Sequence, residues 1–354
     1  MPPFVQQNRI VAELRRRVVH GIYPPGARIP PHVTFEREFR ASAVTVQRAL
    51  SRLKEQGFIV ARNQRGTFVS DDPPHLHRYA VLLPFSPSQA WSQYWNALYN
   101  ESINIQQTLA KRVFVFHGYP GVQSITDREQ LLDLVETDRL AGLIFAIHPG
   151  SLAGTPLLDK PDMPRVSIGM PILEYAFPKL HLDSQSLLSR TFAYFESRGR
   201  RRLACIIPSG LERVMPLAKT IAESNLETRP YWTQTVSFNG AVYGRQCAHL
   251  LMHPGQFERP DCLFIADDNL VEHVTLGLLD AGVRVPDDLE VVAHANFPWA
   301  TPSAMPIKRI GFDIRHVMRL SVEYIDAQRR GEACPSVVHI PAVFDHEVGR
   351  PVQP

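Results

Sequence analysis

The sequence predicts a mixed α/β protein in two parts: a small helical head ending in a hairpin, and a larger body of two lobes built on parallel sheets. Three observations carry this expectation. Basic residues crowd the first 70 positions, the head reads as three helices and a two-stranded hairpin, and beyond residue 78 short apolar strands alternate with helices.

The charge asymmetry is hidden in the total. The chain of 354 residues has 38 Lys+Arg and 35 Asp+Glu, a net charge of +3. Twelve of those cations and four of the anions fall in residues 1–70, so the head carries +8 and the remainder −5. Phosphates need local positive charge, so a basic head on an acidic body points to nucleic acid. No run of about 18 apolar residues occurs, so no membrane span is expected. The N-terminus MPPFVQQNRI lacks a secretory h-region, and Cys205, Cys247, Cys262 and Cys334 are scattered. Both features fit a cytoplasmic protein without a zinc site.

The elements of the head follow from local signals. In VQQNRIVAELRRRVVHG, Ile10, Val11, Leu14 and Val18 keep helical spacing, with Arg15, Arg16 and Arg17 expected to project away from that stripe. Gly21 and YPPG end the helix. HVTFEREF is a short second helix with Phe35 and Phe39 on one face. Ser42 is an N-cap for the third helix, AVTVQRALSRLKEQ, whose Val46, Leu50 and Leu53 face inward. FIVAR and TFVS pair as a hairpin across NQRG. Three helices and a hairpin make a winged helix-turn-helix (residues 1–70). Its third helix fits the major groove, and its wing reaches phosphates or the minor groove. Ser42, Thr45, Gln47, Arg48 and Arg52 on the helix, and Arg62, Gln64, Arg65 and Gly66 on the wing, are the expected DNA contacts.

Asp71–Arg78 reads as a polar, proline-containing linker, and residues 79–350 form the body. YAVLLPF, RVFVFHGY, AGLIFAIHP, PRVSIG, PKLHLD, RRLACIIPS, DCLFIADD and LEVVAHAN are strands. Helices between them include WSQYWNALYNESINIQQTLA, SQSLLSRTFAYFESRG, ERVMPLAKTIAESN and NLVEHVTLGLLDAGV. This alternation implies two parallel-sheet lobes with a cleft between them, and ligands of such sheets bind outside the carboxyl ends of the strands. Strand-end candidates are Phe85, His148, Arg213, Asp267, Asn296 and Trp299, joined by Trp91. Carboxylates, amides and Arg suit hydroxyl groups, and an aromatic face suits the C–H side of a sugar ring. Asp183 and Asp268 are expected to cap helices. His249 and His253 have half a metal-site spacing without a third ligand, and read as solvated histidines. No HExxH, G-x-S-x-G, Walker or GxGxxG motif is present, and neither cofactor nor metal is expected.

The head resembles the GntR-type DNA-binding domain over residues 5–70. The resemblance rests on GIYPPGARIP, on Ser42, Thr45, Val46, Ala49 and Leu50, and on QGFIVARNQRGTFV. It departs at Pro31, His32 and Val33, and at Ala43 and Gln47, which replace the arginines that commonly read guanine in that family. The body resembles the LacI/GalR-type effector domain, which has the type I periplasmic sugar-binding fold, over about 78–350. Asp268, Gly282, Val285, Pro286 and Asp288 match one motif of that family, and Gly199, Arg201, Arg202 and Ala204 match another. Asp267–Asp268 and Ala293–Asn296 depart from the loops that hold ligand hydroxyls there. The combination is similar to the arabinose-repressor arrangement.

The resemblance implies a DNA-binding regulator, a repressor released from its operator by a small sugar or polyol and acting as a homodimer. Three other readings remain: a regulator without a small-molecule ligand, a GntR-headed enzyme of the pyridoxal-phosphate type, and an uptake binding protein. Few body lysines speak against the second, and the basic head speaks against the third.

Overall fold

In a computed structural model, residues 3–84, 93–109, 111–117, 125–169, 175–237 and 240–349 are described. The head holds α1 (Pro3–Val19), α2 (His32–Phe39), α3 (Ala43–Glu55), β1 (Ile59–Arg62) and β2 (Gly66–Val69). The expected stripe is its core. Ile10, Val11, Leu14 and Val18 of α1 pack with Phe35, Val46, Ala49, Leu53, Phe58, Ile59 and Val69, all 5% exposed or less. Burial of each large apolar side chain contributes roughly 1.5–3 kcal/mol, which is what holds three short helices together. The hairpin is antiparallel, with Ile59 opposite Val69 and Arg62 opposite Gly66.

One cation of α1 departs from expectation. Arg15 is buried, donates to Gln56 Oε1 at 3.0 Å, and lies over the Phe58 ring at 5.7 Å. It sits four residues after Val11, so the helical period puts it on the core face, where its aliphatic stem packs. Arg16 and Arg17 are held at the surface by Glu13 and Glu38.

The segment 71–78, expected as a linker, is ordered. It forms α4 (Pro74–His77), and the buried His75 ring stacks on Phe58 with centroids 5.9 Å apart.

The body continues with β3 (Arg78–Leu82), α5 (Gln93–Thr108), β4 (Arg112–Phe116), α6 (Ile125–Glu136), β5 (Gly142–Phe145), α7 (Pro156–Asp159), β6 (Arg165–Gly169), β7 (Lys179–Leu182) and α8 (Ser184–Ser197). Next come β8 (Leu203–Pro208), α9 (Leu217–Ala222), β9 (Thr233–Val236), α10 (Tyr243–Met252), β10 (Cys262–Ile265), α11 (Val271–Asp280) and β11 (Glu290–Phe297). The last elements are β12 (Lys308–Asp313), α12 (Ile314–Arg329), β13 (Val337–Ile340) and β14 (Val343–Phe344). The sequence reading assigns no element to β9, β12, α12 or β13.

The chain falls into two compact units. The first comprises Met1–Pro84, Ile103–Ser167 and Val322–Cys334, and the second Phe85–Ser102, Ile168–Ser321 and Pro335–Pro354. In the first unit, β4, β3, β5 and β6 lie side by side in that order, all parallel. Gly142 on β5 has no room for a side chain, since a Cβ there would stand 2.6 Å from Ile325 and 2.8 Å from the Pro164 carbonyl. Tyr79 donates its hydroxyl to Asp326 at 2.6 Å, tying β3 to α12.

In the second unit the sheet order is β9-β8-β10-β11-β12-β14, parallel except for β14. Its core is Ala204, Ile206, Leu263, Ile265, Val291 and Ala293 from the sheet with Val271, Val274 and Leu278 from α11. Both units thus start their sheets on a strand that has its successor on one side and later strands on the other. That reversal is where a doubly wound sheet opens a crevice at its carboxyl edge. In the second unit it lies between β8 and β10, and Asp267 follows β10 directly.

Candidate functional site

Two regions among the described residues gather polar groups into a candidate site. The first is the face of the head made by α3 and the hairpin. Ser42 starts α3: its hydroxyl accepts the Thr45 backbone N–H at 3.2 Å and pairs with the Thr45 hydroxyl at 2.9 Å. Thr45 is buried, so this expected DNA contact serves the cap instead. Gln47 and Arg48 are exposed on the helix, and Gln64 and Arg65 at the tip of the hairpin. Gln64 has φ 56° and Gly66 φ 104°, so the tip turns through left-handed backbone.

Two of the expected arginines are engaged inside the head. Arg52 donates to Asn8 Oδ1 at 2.7 Å, tying α3 to α1. Arg62 donates to both carboxylate oxygens of Asp71, at 3.0 and 2.8 Å, and lies over Phe68 at 4.7 Å. Sequence reasoning also missed groups on this face. Val44 is 60% exposed at the first turn of α3, an apolar side chain among the polar ones of this face. A groove of about 330 Å³ between α3 and the hairpin is lined by Arg28, His32, Gln47, Ser51, Lys54, Gly66 and Thr67 among others. A β-branched apolar residue beside the N-cap, out of phase with Val46, was the available signal for Val44.

The second region lies at the carboxyl edge of the second unit's sheet. Asp267 caps the turn into α11, accepting the Asn269 backbone N–H at 2.9 Å and side-chain N–H at 2.8 Å. The capping role expected of Asp268 therefore falls to its neighbour. Asp268 is 1% exposed and accepts an N–H from Asn296, itself buried at the end of β11, at 2.6 Å. Burial, with Asp268 alongside, pushes the Asp267 carboxyl upward, and burial pushes Asp268 up to about 6 against the pull of Asn296 and Arg309. The same burial lowers the His294 imidazole, which faces Asp267 electrostatically and packs 5.8 Å from the Phe312 ring. His294 Nδ1, Asn296 Oδ1 and Arg309 Nη1 are buried without a hydrogen-bond partner. Unsatisfied buried polar atoms are costly, so a cluster of them at a strand edge calls for an added partner.

Beside this cluster, Trp299 donates its backbone N–H to the Asn296 carbonyl at 2.8 Å and leaves its side chain 41% exposed. It borders a recess of about 470 Å³ with Gln93, Asn96, Tyr99 and Asn100 of α5. Amides facing an indole, in a volume within the 300–1,000 Å³ range of small-molecule sites, suit a polyhydroxylated ligand.

Of the candidates, the structure brings Asp267, Asn296 and Trp299 to one edge. Arg213 lies in the same unit with its side chain 85% exposed, 3.8 Å from Glu212. His148, in the first unit, is exposed and accepts the Gly150 N–H at 3.1 Å, capping a turn. Phe85 and Trp91 lie outside the described residues. Asp183 caps α8 as expected. His249 on α10 and His253 just after it have their rings 5.9 Å apart, and among the described residues no group of three metal-ligating side chains occurs.

A winged-helix face rich in uncommitted cations, followed by a doubly wound body with a polar pocket, defines a DNA-binding transcriptional regulator with an effector domain. Known proteins agree part by part. Residues 6–69 match the GntR family of bacterial regulatory proteins, and residues 192–343 match the periplasmic-binding-protein-like domain. The chain thus carries a GntR-type head and, over residues 192–343, a periplasmic-binding-protein-like domain.

Among relatives, the arabinose metabolism transcriptional repressor of Geobacillus stearothermophilus is 23% identical over 338 residues, 88% of this chain and 86% of that protein. The regulator GmuR of Bacillus subtilis is 33% identical over 78 residues, 21% of this chain and 33% of its own length. A LacI family regulator from Arthrobacter sp. FB24, solved with lactose, covers 76% of this chain and 97% of its own, at 17% identity and TM-score 0.60. A second, from Lactobacillus casei with bound sucrose, covers 76% and 98%, at 16% identity and TM-score 0.57. At these identities the two structures establish the fold of the body.

Proposed function

We propose that this protein is a repressor that binds duplex DNA through residues 1–70 as a homodimer, and releases it when a small sugar or polyol occupies the body. The observation that carries the reading is the pairing of the two regions in one chain: exposed, uncommitted Gln47, Arg48 and Arg65 on the head, and the Asp267–Asp268–Asn296 cluster beside Trp299 in the body. The named function of the arabinose metabolism repressor, and the lactose and sucrose in the two solved regulators, support a sugar as effector. Homodimerisation is supported by scale. A single recognition helix covers a few base pairs, and discrimination against a genome needs two heads on an inverted repeat.

The site would work by differential affinity. Carboxylates accept sugar hydroxyl protons, the Asn296 carbonyl oxygen takes another, and the indole covers the apolar face of the ring. Release requires only that the ligand bind the DNA-free form better, and a coupling of about 1–3 kcal/mol gives a several-fold to hundred-fold change.

The test is selection of duplexes from a random pool by the full chain, followed by titration of the selected complex with a panel of pentoses, hexoses, disaccharides and polyols. An enriched inverted repeat and release by one sugar class are expected. Enrichment of an inverted repeat that no panel member releases would favour a regulator without a small-molecule ligand, the reading suggested by the internal Asp268–Asn296 bond.

A further inference from the structure

We infer that Arg28, in the turn between α1 and α2, is a DNA phosphate contact and the third element of the wing. The inference rests on the reading of the head as a DNA-binding domain. It starts from how the turn is held. Ile29 donates its N–H to the Thr67 carbonyl at 3.0 Å and Val69 donates to the Ala27 carbonyl at 2.8 Å, so residues 27–29 run antiparallel to β2 with Arg28 opposite Phe68. Ile29 is 5% exposed and anchors this short edge in the head core, while Arg28 faces the other way and is exposed.

The Arg28 side chain then lies across the wing tip. A Cβ built on Gly66 would stand 3.1 Å from its Nε and 3.3 Å from Nη2. The guanidinium therefore lies beside Gly66, and Arg28 lines one groove with Gln47, Ser51 and Lys54 of α3.

Arg28 differs from the five engaged cations of the head in having no side-chain partner among the described residues. Arg15 donates to Gln56, Arg16 and Arg17 to Glu13, Arg52 to Asn8, and Arg62 to Asp71. Among the described residues, neither Arg28 nor its groove partner Lys54 has a side-chain hydrogen bond or ion pair. Two cations that line one groove without a counter-charge repel each other in the free protein, and a phosphate between α3 and the wing removes that repulsion. Of the two wing arginines expected from sequence, Arg62 and Arg65, Arg62 is clamped by Asp71, and Arg28 takes its place.

The experiment measures affinity of the full chain for a short duplex of arbitrary sequence over a series of salt concentrations, for wild type, Arg28→Ala and Arg28→Lys. Each neutralised phosphate contributes about 0.9 to the slope of log affinity against log salt. Arg28→Ala should flatten the slope by about that amount on any sequence, and Arg28→Lys should restore it. An unchanged slope in Arg28→Ala overturns the inference. So does a slope that lysine fails to restore, or a loss confined to one base position. A wild-type protein that binds no duplex at low salt would overturn the reading of the head itself, whereas wild-type binding with an unaltered Arg28→Ala slope overturns only this assignment.

Discussion

The head and the second unit treat polar groups in opposite ways. On the head, Gln47, Arg48, Lys54 and Arg65 stand in water with no side-chain partner among the described residues, and a solvated charge costs little and keeps its strength for a phosphate. In the second unit, Asp268 and Asn296 are withdrawn from water and bonded to each other, with Asp267 and His294 half-buried beside them and the buried His294 Nδ1 and Asn296 Oδ1 left without a partner among the described residues. The difference follows from the partner each awaits. DNA is a large, highly charged surface that approaches from outside, and affinity for it comes from charge neutralisation. A small neutral ligand has only hydrogen bonds and ring faces to offer, and these discriminate well only where water is excluded.

The comparison breaks most readily in the second unit. Asn296→Ala removes one partner of the Asp268 carboxyl and one unsatisfied acceptor, and hydrogen bonds to charged groups contribute about 1.5–3 kcal/mol. Calorimetry should find affinity for the releasing sugar lowered roughly 10- to 100-fold, with DNA affinity at its wild-type value. If the variant bound sugar like wild type, the cluster would be a structural network and the interior half of the comparison would fail.

On the head, Gln47→Ala should relax preference at one operator position by about 1–3 kcal/mol, the range for a bidentate amide–adenine pair. Repeating the duplex selection with the variant checks it, and an unaltered consensus would place base reading elsewhere on α3.

The buried titratable groups sharpen the comparison through pH. Burial lowers the His75 imidazole to about 3 from an ordinary 6.5, so the folded head binds fewer protons than the unfolded chain. Its share of stability is complete above 6.5 and lost as pH falls toward 3, about 2 kcal/mol by pH 5. Asp268, raised to about 6, runs the other way: its share is present near pH 4 and lost as pH rises through 6, about 1 kcal/mol between pH 5 and 7. His75→Phe keeps the stack on Phe58 and removes the proton. Denaturation of the variant should therefore show a smaller acid-side loss than wild type, by about 2 kcal/mol at pH 5.

The smallest effect is on Arg52. Its bond to Asn8 lies within the head and is half-exposed, so Arg52→Ala should cost no more than about 1 kcal/mol of stability in chemical denaturation. A greater loss would mean that the α1–α3 junction depends on it more than the apolar stripe does.

The head was legible because its signals are local. Ser42, Gly21, Gly57 and the stripe of Ile10, Val11, Leu14 and Val18 each determine a boundary or a face within a few residues. Which cations are free was not legible, because Arg52, Arg62 and Arg15 are engaged by Asn8, Asp71 and Gln56, partners brought in by the tertiary fold. In the body, α12 carries a helical period in Ile314, Val317, Met318, Val322 and Ile325, to which the sequence reading assigns no element. The strand before it does not. KRIGFD has polar ends and a central Gly311, present because a Cβ there would stand 1.8 Å from the Ala295 carbonyl oxygen of β11. The exchange of roles between Asp267 and Asp268 shows the limit at the site. Adjacent aspartates after a strand look alike in sequence, and the backbone turn decides which one caps and which one turns inward.

The central claim is that one chain joins an external DNA contact to an internal sugar site. Fluorescence anisotropy of the selected duplex, titrated with the releasing sugar in the presence of wild type or Asp267→Ala, tests it most directly. The account predicts equal starting anisotropy for both proteins, a fall to the free-duplex value for wild type, and no fall for Asp267→Ala at the same sugar concentrations. An Asp267→Ala protein that lets go of the duplex at the wild-type concentration, or one that never binds it, would contradict the account.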